Sequence, residues 1–120
     1  MNNGNLRYEL YKLDNDTLVN AVIQNETIWL TQKAMGEVFE VDRTNITKHL
    51  KNIFENKELD ENVVCEEFSQ TTPHGAIQGK LQTRKTKFYN LDAIISVGYR
   101  VNSHKATRFE VKYFVNHRGA

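Results

Sequence analysis

The sequence predicts an α+β fold: a strand-rich start, a central pair of short helices, then a hairpin and further helices. Three observations carry that prediction. Leu30 to Leu50, LTQKAMGEVFEVDRTNITKHL, scans as two short amphipathic helices around a tight turn. Before it, apolar runs alternate with turn residues at strand length. After it, two runs able to pair as strands flank the stretch that holds the sole proline.

The central pair comes first in the argument. Ala34, Met35, Val38 and Phe39 recur as one apolar stripe, and Thr31 before them has a hydroxyl suited to capping the first turn. Ile46, Leu50, Ile53 and Phe54 make a second stripe, so a helix is predicted over 43–55, capped by Asp42 or Thr44. This is the spacing of a helix-turn-helix that docks on DNA. Thr44, Asn45, Lys48, Lys51 and Asn52 then point away from the second stripe, with Arg43 at the helix start. Lys serves phosphate or guanine, Asn an adenine edge, Thr a phosphate oxygen, so these residues together with Thr47 are the candidate DNA-binding residues of the helix. Such a face equally suits an ordinary amphipathic hairpin with a solvated outer surface.

At the N-terminus, residues 1–5 read as a disordered lead-in. Leu6 to Leu13 and Thr17 to Ile23 read as a β-hairpin about Asp14-Asn15-Asp16. Thr27 to Leu30 is a short strand leading into the first helix, with Trp29 as a core anchor beneath the helices. Residues 56–62 form a charged connector. Val63 to Ser69 and Thr83 to Tyr89 then pair as a hairpin whose tip is Gln70 to Gln82. Placed after a helix-turn-helix, this hairpin has the position of a wing, and Arg84, Lys85 and Lys87 would approach the phosphate backbone or minor groove; a surface loop with solvated charges is the alternative. Asn90 caps a helix from Leu91 to about Val101, buried through Leu91, Ile94, Ile95, Gly98 and Val101. Ser103 caps another, with Ala106 and Phe109 facing inward.

Composition sets the outer limits. At 120 residues, 39% hydrophobic and 26% charged, the chain is ordinary globular material in one domain. No apolar run approaches a membrane span, and the polar start is no signal peptide, so a cytoplasmic protein is expected. Cys65 is the sole cysteine, read as a buried structural thiol, and His74 as an ordinary surface histidine. The net charge of +1 hides a division: residues 1–60 carry seven basic and ten acidic side chains, residues 61–120 nine and five. Those nine fall between Lys80 and Arg118, accompanied only by Asp92 and Glu110, the kind of asymmetry that attracts nucleic acid. A Gly-rich phosphate loop, a His-Glu-x-x-His helix, a Cys/His ligand cluster and a Gly-x-Ser-x-Gly elbow are all missing. Hence no catalytic residue, metal ligand or cofactor is assigned, and the chain is expected not to be an enzyme.

The residues also carry a resemblance. IWLTQ, then RTNITKHLKNIFENKELDENVVCEEF, then KTKFYNLDAIISVGYRVNSHKATRF resemble the RhuM family of virulence-associated bacterial proteins, commonly described as DNA-binding. The last of these runs is more weakly similar to the N-terminal domains of phage and large-DNA-virus regulators of the Bro and KilA type, which bind DNA or act as antirepressors. Register for register, Leu30 to Leu50 is also similar to bacterial helix-turn-helix regulators, departing at Gly36, where Ala is usual, and at Glu40, where a turn Gly is usual. The resemblance covers residues 6–109, the stretch that the helix-turn-helix register and the hairpin's position mark as a winged helix-turn-helix-like DNA-binding domain, and breaks off at a divergent, truncated tail, 110–120. The helix-turn-helix register and the basic second half together lead to a sequence-specific, transcription-regulator-like role with double-stranded DNA as partner, a homodimer and a protein partner being left open. The alternative is a protein-interaction or antirepressor module without direct DNA readout, which the acidic first half favours slightly.

Overall fold

The computed structural model describes residues 7–12, 18–24, 27–73, 79 and 81–109. The predicted lead-in, the turn at 14–16, residues 74–78 (His74 among them) and 80 of the hairpin tip, and the tail 110–120 lie outside the described residues. The fold is mixed α+β. Strands β1 (Arg7–Lys12), β2 (Leu18–Gln24), β3 (Thr27–Leu30), β4 (Cys65–Pro73) and β5 (Leu81–Asn90) form one antiparallel sheet in the order β1-β2-β3-β5-β4. Helices α1 (Gln32–Phe39), α2 (Arg43–Glu55) and the single turn α3 (Glu61–Val64) lie between β3 and β4. Helix α4 (Leu91–Val101) follows β5, and residues 103–109 are helical.

The three N-terminal strands fall within one residue of their predicted bounds. The hairpin departs more. Residues 61–64, read as connector and strand, form α3, where Asp60 accepts a capping bond from the Asn62 amide at 2.9 Å. β4 and β5 then stay paired from Cys65↔Tyr89 to Pro73↔Leu81, leaving a shorter tip than the Gly and Pro content implied. β3 meets β5 only at Trp29↔Asn90 and Leu30↔Tyr89. Among the described residues the rest of β5 therefore has no strand beside it on that edge.

One face of the sheet carries the main core. Ile28, Leu30 and Tyr89 join Met35, Val38 and Phe39 of α1, Ile46, Leu50 and Ile53 of α2, and Ile94 and Val97 of α4, all buried. Each such apolar side chain contributes about 1.5–3 kcal/mol on burial. Trp29 is buried, but on the opposite face with Val22, Phe68 and Phe88, not beneath the helices. Strand alternation decides this: with Ile28 and Leu30 turned toward the helices, Trp29 must point the other way. There its ring meets Phe68 edge-on at 5.8 Å. The α4 stripe also shifts, burying Ala93 and Val97 while Ile95 and Val101 are only half-buried.

The caps follow short polar side chains. Thr31 Oγ1 accepts from the Ala34 amide at 3.0 Å and Asn90 Oδ1 from the Ala93 amide at 3.3 Å, both as expected. Asp42 occupies the cap position of α2 without a side-chain bond. Asn102, not Ser103, starts the last helical segment: its Oδ1 accepts from the Lys105 amide at 3.2 Å, while its Nδ2 donates to the Phe39 carbonyl at 3.1 Å. One side chain thus joins the end of α1 to the α4 junction.

Candidate nucleic-acid interface

Two features of α1 set the position of α2. Glu40 adopts the left-handed conformation (φ 61°, ψ 47°), and the Val41 amide returns to the Gly36 carbonyl at 3.0 Å. A non-glycine residue there costs roughly 1–2 kcal/mol, and the Glu40 carboxylate meets Lys105 at 2.5 Å. A Cβ on Gly36 would lie 2.7 Å from the Val41 carbonyl oxygen, so the turn closes directly over the missing side chain. The far end of α2 closes similarly through Lys57 (φ 60°), with the Glu58 amide on the Ile53 carbonyl at 3.0 Å.

Held this way, α2 buries Ile46, Leu50 and Ile53 and leaves Arg43, Thr44, Asn45, Thr47, Lys48 and Lys51 exposed. Asn52 is half-buried, more enclosed than its position opposite the apolar stripe implied. Arg43, Thr47 and Lys51, spaced four apart, line the side of α2 toward β5. Thr47 is committed to the protein: its hydroxyl is within reach of the Gln32 side-chain oxygen and of the Arg43 carbonyl, which leaves it less available to a ligand than predicted.

Gln32 ties three elements together. From α1, its Nε2 donates to the Tyr89 hydroxyl of β5 at 3.0 Å, and its Oε1 accepts from Thr47 of α2. Burial pushes the Tyr89 phenol up to about 12, so it stays protonated, and pushes the half-buried Cys65 thiol upward too, against the Tyr89 hydrogen bond. Cys65, read from the sequence as a buried thiol, is half-buried, and its raised thiol holds less reactive thiolate at neutral pH than a free cysteine.

A cleft of about 370 Å³ opens beside Gln32, lined by Lys33, Arg43, Arg84 and Lys87 with Thr31 and Thr86. Arg84, Lys85 and Lys87 are exposed, and Lys87 also meets Glu61 at 3.6 Å. Among the described residues no ion pair involves Lys33, Arg43 or Arg84. The fold therefore brings the predicted start of α2 and the predicted strand basics to one opening, while Lys85 lies outside its lining. Sequence reading passed over Lys33 because α1 looked like a supporting helix; its place in the first turn after the Thr31 cap was the available signal.

Among the described residues no group of three or more His, Cys, Asp or Glu side chains is placed to hold a metal ion, and no helix is long and apolar enough to cross a membrane. Residues 63–114 match the family model described as virulence protein RhuM family. The chain is similar to the RhuM family over this segment, less than half of its length. The RhuM match takes in β4, β5, α4 and residues 103–109 and continues past Phe109, the expected end of the sequence resemblance, to residue 114. It includes Arg84, Lys85 and Lys87 but does not reach α1 or α2. No curated protein and no solved structure matches the chain.

Proposed function

We propose that this protein, similar to the RhuM family over residues 63–114, binds double-stranded DNA in a sequence-dependent way as a winged helix-turn-helix. In this reading α1 and α2 are the helix pair, α2 enters the major groove, and the β4–β5 hairpin is the wing. The observation that supports it is the exposed polar surface of α2, Arg43 to Lys51, set beside the basic residues of β5 while its apolar stripe is sealed in the core. Lys48 and Asn45 offer donors and acceptors to base edges, and Arg84 and Lys85 offer charge to the backbone.

The test is selection of random-sequence duplexes by the purified protein at low and near-physiological salt. An enriched motif is expected. Lys48→Ala should weaken that site by roughly tenfold to a hundredfold, the range of one base contact. Binding that selects nothing and vanishes with salt would reduce α2 to part of an electrostatic surface. No binding at either salt would favour a protein-interaction module.

A further inference from the structure

The cleft between α1, α2 and β5 is more than a basic patch. Cations from three separate elements meet there: Lys33 from the first turn of α1, Arg43 from the first residue of α2, Arg84 and Lys87 from β5. No carboxylate is among its lining residues, although Glu55, Glu58, Glu61 and Glu66 lie on neighbouring stretches. Lys87 is paired with Glu61, but Lys33, Arg43 and Arg84 have no ion-pair partner among the described residues; gathered together they repel one another, and an oxyanion is the natural relief.

The walls also present donors. Beyond its two residues of pairing with β3, β5 has no strand beside it on that edge among the described residues, the place where a strand offers its amides outward. The N-termini of α1 and α2 both lie at this cleft, and α2 starts without a side-chain cap bond. Gln32 fixes the three walls through Tyr89 and Thr47, so the cleft is preorganised and need not be assembled on binding.

We infer that this cleft is a single phosphate site, with Lys33 and Arg84 as its two clamping cations. The inference rests on the DNA-binding reading for the source of that phosphate, a backbone diester flanking the groove that α2 enters. The shared chemistry is a tetrahedral phosphate oxyanion, which a free phosphate monoester also supplies. Holding one diester between α1 and β5 fixes the depth and register of α2 without reading any base.

Two measurements on the full chain decide it. In the first, amide signals are followed by NMR as inorganic phosphate, adenosine monophosphate and a random-sequence duplex are added separately. The signals of Gln32, Lys33 and Arg84 to Lys87 should move together with the duplex. A larger response to adenosine monophosphate at equal concentration would assign the phosphate to a free nucleotide. No response to any of the three overturns the site.

In the second, the salt dependence of duplex binding is compared between the parent and a Lys33→Gln/Arg84→Gln double variant. One shared phosphate predicts a slope of log K against log salt smaller by about 1. It also predicts that any selected motif keeps its order of preference. A fall of about 2 would mean two separate phosphates and would overturn the single clamp, as would an unchanged slope. If no motif is ever enriched but the cleft signals still move, the α2 reading fails and the phosphate site stands. If a motif is enriched and the double variant keeps the parent slope, the reverse holds.

Discussion

Replacing Gly36 by alanine sets two known effects against each other. In an ordinary helix interior the change stabilises by about 0.5–1 kcal/mol, because glycine surrenders more backbone freedom on folding. Here the new methyl would sit 2.7 Å from the Val41 carbonyl oxygen, a backbone atom held by the left-handed Glu40 and by the Val41 amide's bond to the Gly36 carbonyl. Relieving that contact requires the turn between α1 and α2 to move. Overpacking of this kind costs about 1–3 kcal/mol, so the net change is a loss on the order of 1 kcal/mol. For a domain near this size that lowers the melting temperature by roughly 4–8 °C. Thermal unfolding followed by circular dichroism, with calorimetry to check two-state behaviour, measures it. Combining the change with Glu40→Gly frees the turn, so the double variant should recover about 0.5 kcal/mol or more beyond additivity. A Gly36→Ala protein that melts at or above the parent temperature would refute the crowding argument.

Gly98→Ala should be worse, because its Cβ would lie 2.5 Å from the Phe39 ring, which is fully buried and cannot swing aside; a loss of roughly 1–3 kcal/mol in denaturant unfolding is expected. His49 is held below its ordinary value of 6.5 by burial first, then by Arg100 and Lys48. Above that value folded and unfolded chains are both neutral and stability is full; as pH falls through it the unfolded chain binds its proton first and stability declines. His49→Gln should flatten that acid limb, and an unchanged limb would place the effect elsewhere. The raised Cys65 thiol should react with iodoacetamide at mildly alkaline pH more slowly than the same thiol in the denatured chain, a rate read by mass spectrometry.

What the sequence made legible followed from periodicity and from short polar caps. The stripes of α1 and α2, the Thr31 and Asn90 caps and the strands before Leu30 all appear where those local signals put them. The face chosen by Trp29 was not legible, because alternation says that neighbours oppose each other without saying which side the helices cover. Asn102 went unseen as a cap because serine after it has the same preference, and its second bond, to Phe39, spans 63 residues. The candidate site divided likewise. Arg43 and the β5 basics were visible as residue types, but their meeting with Lys33 depends on β3 ending at Leu30, so that α1 begins beside the open edge of β5.

The charge division along the chain also changes meaning once the chain is folded. Read linearly, an acidic first half beside α2 opposes approach to DNA. In the fold, Glu58 pairs with Arg100 and Glu40 with Lys105, so carboxylates from the first half are matched by cations from the second. Glu55 is beside Lys51 of the same half at 4.0 Å, a pair already counted within that half's balance. These exposed or half-exposed pairs add little stability, about 0–1 kcal/mol each, but they remove first-half negative charge from the balance that any anion meets. Lys33, Arg43 and Arg84 have no such partner among the described residues. The formal −3 of residues 1–60 therefore weighs less against a DNA partner than the linear count implies, because Glu40 and Glu58 are matched by Lys105 and Arg100 while Lys33, Arg43 and Arg84 stay at the cleft.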